Sequence, residues 1–139
     1  MKRLHSLLLT FMLGFGAATV QADIAIIGNP AGPDSLTLEQ VRDIYLNRSK
    51  SLPGGQRVVP YELPETSAVR EAFHKKVTGR SGAQLKAFWS QQVFTGKGQP
   101  PQELGSESAV KASVASTPGG IGYIDADLVD DSVKVLLQP

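Results

Sequence analysis

The run Ile24 to Gly28 (IAIIG) constrains this chain more than any other stretch. It has the length of a strand, is rich in β-branched residues and stops at Gly28-Asn29-Pro30, so it predicts a strand that is apolar throughout. Successive side chains of a strand point to opposite faces, and a strand with no polar side must therefore be covered on both. The residues downstream predict helices that supply that cover.

The clearest local signal follows a Gly/Pro/Asp-rich loop at Ala31 to Ser35. Thr37 and Gln40 have the T-x-x-Q spacing of a capping box, and Leu36 and Val41 are placed as a hydrophobic staple. Leu38, Val41, Ile44 and Tyr45 recur at helical spacing, which predicts a helix over Leu38 to Leu46 with one buried face. Ser49 to Gln56, containing Pro53-Gly54-Gly55, reads as a loop. A short strand over Val58 to Leu63, a turn at Pro64-Glu65 and a helix opening near Thr66-Ser67 come next. That helix presents Val69, Phe73 and Val77 inward and closes at Gly79, a left-handed cap.

Ser81 and Gln84 repeat the capping box ahead of a helix with Leu85, Phe88, Trp89 and Val93 on one stripe, expected to lie in the core. Phe94 to Leu104 reads as a Gly/Pro-rich connection. A helix opening at Ser106 carries Val110 and Val114 and is stopped by Pro118-Gly119-Gly120. Ile121 to Asp125 and Val133 to Leu137 read as two last strands. This order predicts an α/β domain, a small mixed sheet covered by helices, with no internal repeat and no low-complexity segment.

Residues 1–22 stand outside that pattern. Lys2 and Arg3 precede an apolar stretch, Leu7 to Phe15, too short to span a bilayer, and Val20-Gln21-Ala22 offers small residues for cleavage. This predicts a secretory signal peptide cut after Ala22, leaving a single domain over residues 23–139 that buries about two-thirds of its unfolded surface. The chain has 14 Lys and Arg against 13 Asp and Glu, and losing Lys2 and Arg3 turns its net charge from +1 to −1. Such a balance gives no electrostatic reason to bind nucleic acid or an anionic membrane. Without cysteine there is no disulfide, no thiol chemistry and no lipid-anchor attachment point, and the expected product is a soluble protein of a bacterial periplasm.

The strand-to-helix turn is the candidate functional feature. Backbone N–H groups of a first helical turn have no partner within the helix, and beside Ser and Thr hydroxyls they can hold a small anion. Thr66, Ser67, Ala68, Val69 and Arg70 are the candidate anion-binding residues, with the Arg70 guanidinium able to fold back towards the helix start. The alternative for Thr66 and Ser67 is ordinary helix capping, and for Arg70 an exposed ion pair with Glu65 or Glu71.

Other chemistries find no residues to run them. His74 is the only histidine beyond residue 22 and reads as a surface or half-buried helix residue without a partner nucleophile. There are no His and Cys clusters for a metal, and Asp125, Asp127, Asp130 and Asp131 lack the spacing of a calcium loop and read as solvated turn residues. Lys75, Lys76 and Arg80 read as a solvated helix end. Gly119-Gly120-Ile121-Gly122 precedes a strand, the reverse of a dinucleotide fingerprint. A non-enzyme with no cofactor and no metal is expected.

Three segments together resemble the phosphate ABC transporter substrate-binding proteins. They are Ile24 to Pro30 (IAIIGNP), Leu36 to Leu46 (LTLEQVRDIYL) and Pro118 to Ile124 (PGGIGYI), similar to that family's "AIIVNP", "LT..QVRDIFLG" and "PGAIGYV" in the same order. The resemblance implies one lobe of a type II periplasmic binding protein, in a compact form, since full-length members close two lobes over phosphate. Those members carry an Arg shortly before a Gly-Ser-Gly-Thr turn. Here the segment is Tyr61 to Val69 (YELPETSAV); Ser67 matches, whereas Tyr61, Glu62 or Leu63 stands at the Arg and the glycines are missing. Glu65 adds a negative charge next to the anion position.

The resemblance implies an exported, non-enzymatic protein that binds phosphate or a similar oxyanion weakly if at all, with an ABC permease as partner. The alternative is a lobe that has lost its ligand and docks on a periplasmic or membrane sensor protein, or on a second copy of itself as a homodimer.

Overall fold

The computed structural model describes residues 23–139; residues 1–22, expected to be a signal peptide, lie outside the described residues. Five strands form one sheet: β1 (Ile24–Gly28), β2 (Val59–Glu62), β3 (Gln102–Glu103), β4 (Gly120–Asp125) and β5 (Lys134–Leu137). Their spatial order is β3-β2-β4-β1-β5. β4 runs parallel to β2 and antiparallel to β1, with Ile24 opposite Asp125 and Gly28 opposite Ile121. β3 is parallel to β2 and β5 antiparallel to β1, so the sheet is mixed, as expected.

Four helices accompany it: α1 (Leu38–Tyr45), α2 (Ala68–Lys76), α3 (Gly82–Phe94) and α4 (Glu107–Ser116). Neighbouring residues of β4 show how they divide between the faces. On one face, Gly122 lets α4 come close: a Cβ there would lie 2.6 Å from Val110 Cγ1. On the other, Tyr123 stacks on Phe73 of α2 and lies near Tyr45 of α1. Helices thus lie on both sides of the sheet, and every residue of β1 is buried, which is what an all-apolar strand requires.

Both capping boxes form. Thr37 Oγ1 accepts from the Gln40 N–H and Gln40 Oε1 from the Thr37 N–H; Ser81 and Gln84 do the same ahead of α3. Leu36 and Val41 are buried in the core cluster, and Gly79 takes the left-handed conformation expected of it (φ 66°).

Two expectations need correction. The Phe94 to Leu104 connection contains β3, held by parallel pairing of Gln102 with Tyr61 and Glu103 with Glu62. The stripe on α3 is not core: Leu85 is buried, Phe88 and Trp89 are half-buried, and Val93 and Phe94 are 45% and 92% exposed. Helical spacing shows which residues share a face, but not whether another element covers that face.

Candidate functional site

β2 delivers the chain to α2 through the turn at Pro64 to Thr66, and Ser67 caps the helix. Its Oγ accepts from the Arg70 N–H at 3.2 Å, and its own N–H donates to the Pro64 carbonyl at 2.9 Å. The Ser67 N–H, expected to face an anion, is therefore already engaged. Ala68 and Val69 are the first two helical residues, whose N–H groups have no acceptor within the helix. Thr66 is exposed and Ser67 half-buried.

Arg70 departs from both readings made of it. Its guanidinium neither folds over the helix start nor sits in solvent beside Glu65 or Glu71. Nη1 donates to the Leu63 carbonyl at 2.8 Å and lies 3.6 Å from Glu103 Oε2, while Nε lies 3.8 Å from Glu62 Oε1. The side chain is 13% exposed, and its charge faces two carboxylates.

Glu62 explains this placement. It ends β2 with its side chain buried, 4% exposed, and its Oε1 accepts from His74 Nε2 and, at 3.2 Å, from the Tyr123 hydroxyl. His74 is buried too, at 3%, which corrects the surface or half-buried reading. Its Nδ1 meets Thr78 Oγ1 at 3.0 Å, and the Thr78 hydroxyl donates to the His74 carbonyl. The Tyr123 hydroxyl also accepts from the Leu63 N–H at 3.2 Å. Burial first, then the charge of Glu62, pushes the Tyr123 phenol well above its ordinary range. Tyr45, fully buried nearby, is raised by burial, by Tyr123 and by Glu62.

Sequence reasoning missed this cluster, although two signals were present. Glu62 interrupts an otherwise apolar strand, VVPYEL, at a position flanked by buried Tyr61 and Leu63. His74 follows core Phe73 and precedes Thr78 by one helical turn, so a buried imidazole had a partner within reach.

The other candidates keep structural roles. Asp125 Oδ1 accepts from the Asp127 N–H in a 3₁₀ turn at Ala126–Leu128. Asp130 pairs with Lys111 at 2.8 Å, and hydrogen bonds from Lys111 and Ser132 hold its carboxyl well below the usual carboxylate range. No cluster of three or more His, Cys, Asp or Glu with metal-binding geometry occurs among the described residues. Nor is any helix there long and apolar enough to cross a membrane.

The mixed five-stranded sheet between helices, with its strand-to-helix corner at β2 and α2, matches one lobe of a periplasmic binding protein in fold. No family model matches the chain. Its fold is similar to that of a Clostridium perfringens protein assigned to the phosphate ABC transporter substrate-binding proteins and solved with bound phosphate (28% identity, TM-score 0.66, 82% of this chain and 44% of that one). It is also similar to an ABC-type phosphate transport receptor from Vibrio cholerae (21%, TM-score 0.64, 82% and 45%) and to PstS from Borrelia burgdorferi (13%, TM-score 0.64, 82% and 46%). These likenesses show a shared fold, that of one lobe of such proteins, and the chain spans less than half the length of the structures it matches.

Proposed function

We propose that this protein is an exported solute-binding lobe that meets phosphate or a similar small oxyanion, weakly, at the first turn of α2. The observation that carries this reading is the solvent-accessible β2–α2 corner within a fold like that of a phosphate-bound protein. The Ala68 and Val69 N–H groups and the Ser67 hydroxyl are the contacts, with the exposed Thr66 hydroxyl beside them. Arg70 contributes little, because Glu62 and Glu103 already hold it. Exposed Glu65 and Glu71 repel an anion, and a corner open to water screens each contact. Residues 1–22 act as the export signal, the periplasm is the compartment, and an ABC permease or a membrane sensor is the partner. Isothermal titration of the purified protein with phosphate and sulfate tests the reading; no heat at millimolar ligand would remove the receptor role.

A second reading is a ligand-free docking module. The observation that favours it is the neutralised Arg70 together with the uncovered apolar residues Val93 and Phe94 of α3. Crosslinking that recovers no partner, alongside measurable phosphate binding, counts against it.

A further inference from the structure

We propose that Arg70, His74 and Tyr123 form a second oxyanion-binding site, of which Arg70 and His74 line the groove between α2 and α3, and that the chain's own Glu62 carboxylate is its resident ligand. This goes beyond the corner at Ser67, uses different donor groups and stands whether or not that corner binds phosphate.

Glu62 is buried at the end of β2. A carboxylate taken out of water is strongly disfavoured unless donors replace its hydration. At Glu62 the replacement converges on one atom. Oε1 faces the His74 imidazole, the Tyr123 hydroxyl at 3.2 Å and Arg70 Nε at 3.8 Å. Two of those groups come from α2 and one from β4, whereas the carboxylate comes from β2. An imidazole and a phenol bonded to one oxygen, with a guanidinium charge 3.8 Å away, make a receptor for any carboxylate or small oxyanion of the right size. Glu62 differs from such a ligand only in being tethered.

Access is the second observation. Arg70 and His74 line a groove of about 720 Å³ that runs from Glu65 to Lys86. Lys75, Arg80 and Lys86 line it as well, and none of them forms an ion pair among the described residues; its acidic residues are Glu65 and Glu71. The balance draws anions from solvent into the groove, at whose wall Arg70 and His74 stand.

Size makes the idea testable. Glu62→Ala removes the γ-carbon and the carboxyl group, which together have the outline of acetate. The probe is therefore sodium acetate, with equal ionic strength of sodium chloride as the control. E62A should melt below the wild-type protein and regain melting temperature saturably with acetate but not with chloride. Wild type should respond to acetate no more than to chloride, because its site is filled. By titration, acetate should bind E62A at least tenfold more tightly than wild type, and E62A/R70Q should lose that gain. If E62A is unfolded without added anion, folding restored by acetate and not by chloride is the supporting result. An E62A protein that responds equally to both salts, or stays unfolded in both, overturns the proposal.

Discussion

Phe73 of α2 and Tyr123 of β4 stack face to face, with ring centroids 3.9 Å apart and planes 6° from parallel. Tyr45 of α1 meets the Phe73 ring edge-on at 4.8 Å. The contact ties α2 to the sheet, and the hydroxyl of the same tyrosine continues to Glu62, so the core and the polar cluster share one side chain. Phe73→Ala removes a fully buried ring at this junction and should lower unfolding free energy by about 3–5 kcal/mol. Denaturant titration measures it; a loss near zero would mean that α2 does not depend on this stack.

Tyr45 and Tyr123 also set the alkaline limit of stability. Both phenols have raised values in the folded state, chiefly from burial. An unfolded tyrosine ionises near pH about 10, so above that the unfolded chain holds fewer protons than the native one. The stability these groups contribute is complete below that pH and falls as pH rises beyond it, by about 1.4 kcal/mol per pH unit for each tyrosine. Denaturant titrations on either side of pH about 10 should show this fall, with a shallower slope for Tyr123→Phe. An unchanged slope in that variant would contradict the assignment.

Gly119 combines two demands. Its φ of 78° is left-handed, and a Cβ there would sit 2.1 Å from the Arg57 carbonyl oxygen, a backbone atom that cannot swing aside. The Val59 N–H donates to the Gly119 carbonyl at this same joint between β2 and β4. Gly119→Ala should therefore destabilise by more than about 1 kcal/mol, whereas Gly54→Ala, with a similar φ but open space, should lose less. Thermal unfolding of the two variants compares them directly.

The exposed end of α3 gives the opposite expectation. Val93→Ser and Phe94→Ser should leave stability within about 0.5 kcal/mol of wild type, while Leu85→Ala, on the same helix but buried, should lose about 2 kcal/mol or more. A large loss from Phe94→Ser would mean that something packs on it in solution.

These residues also mark what the sequence made legible. Features set by neighbours in the chain could be read: the all-apolar β1, the two capping boxes, the Gly79 cap and the order of the longer elements. β3 could not, because two residues become a strand only by meeting Tyr61 and Glu62 some forty positions earlier. The fate of the α3 stripe depended on whether another element covered it. At the candidate site, Ser67 as a helix cap was legible from residue type and position, whereas the engagement of Arg70 was not. It depends on Glu62 turning inward and on Glu103 arriving with β3, both matters of tertiary packing.

The most direct test of the account is a phosphate titration of the purified, isotope-labelled protein followed through its backbone amide resonances. Saturable shifts confined to the first turn of α2, led by Ala68 and Val69, with a midpoint in the millimolar range, are expected. A micromolar midpoint, shifts centred elsewhere, or no shifts at all would contradict the proposed function.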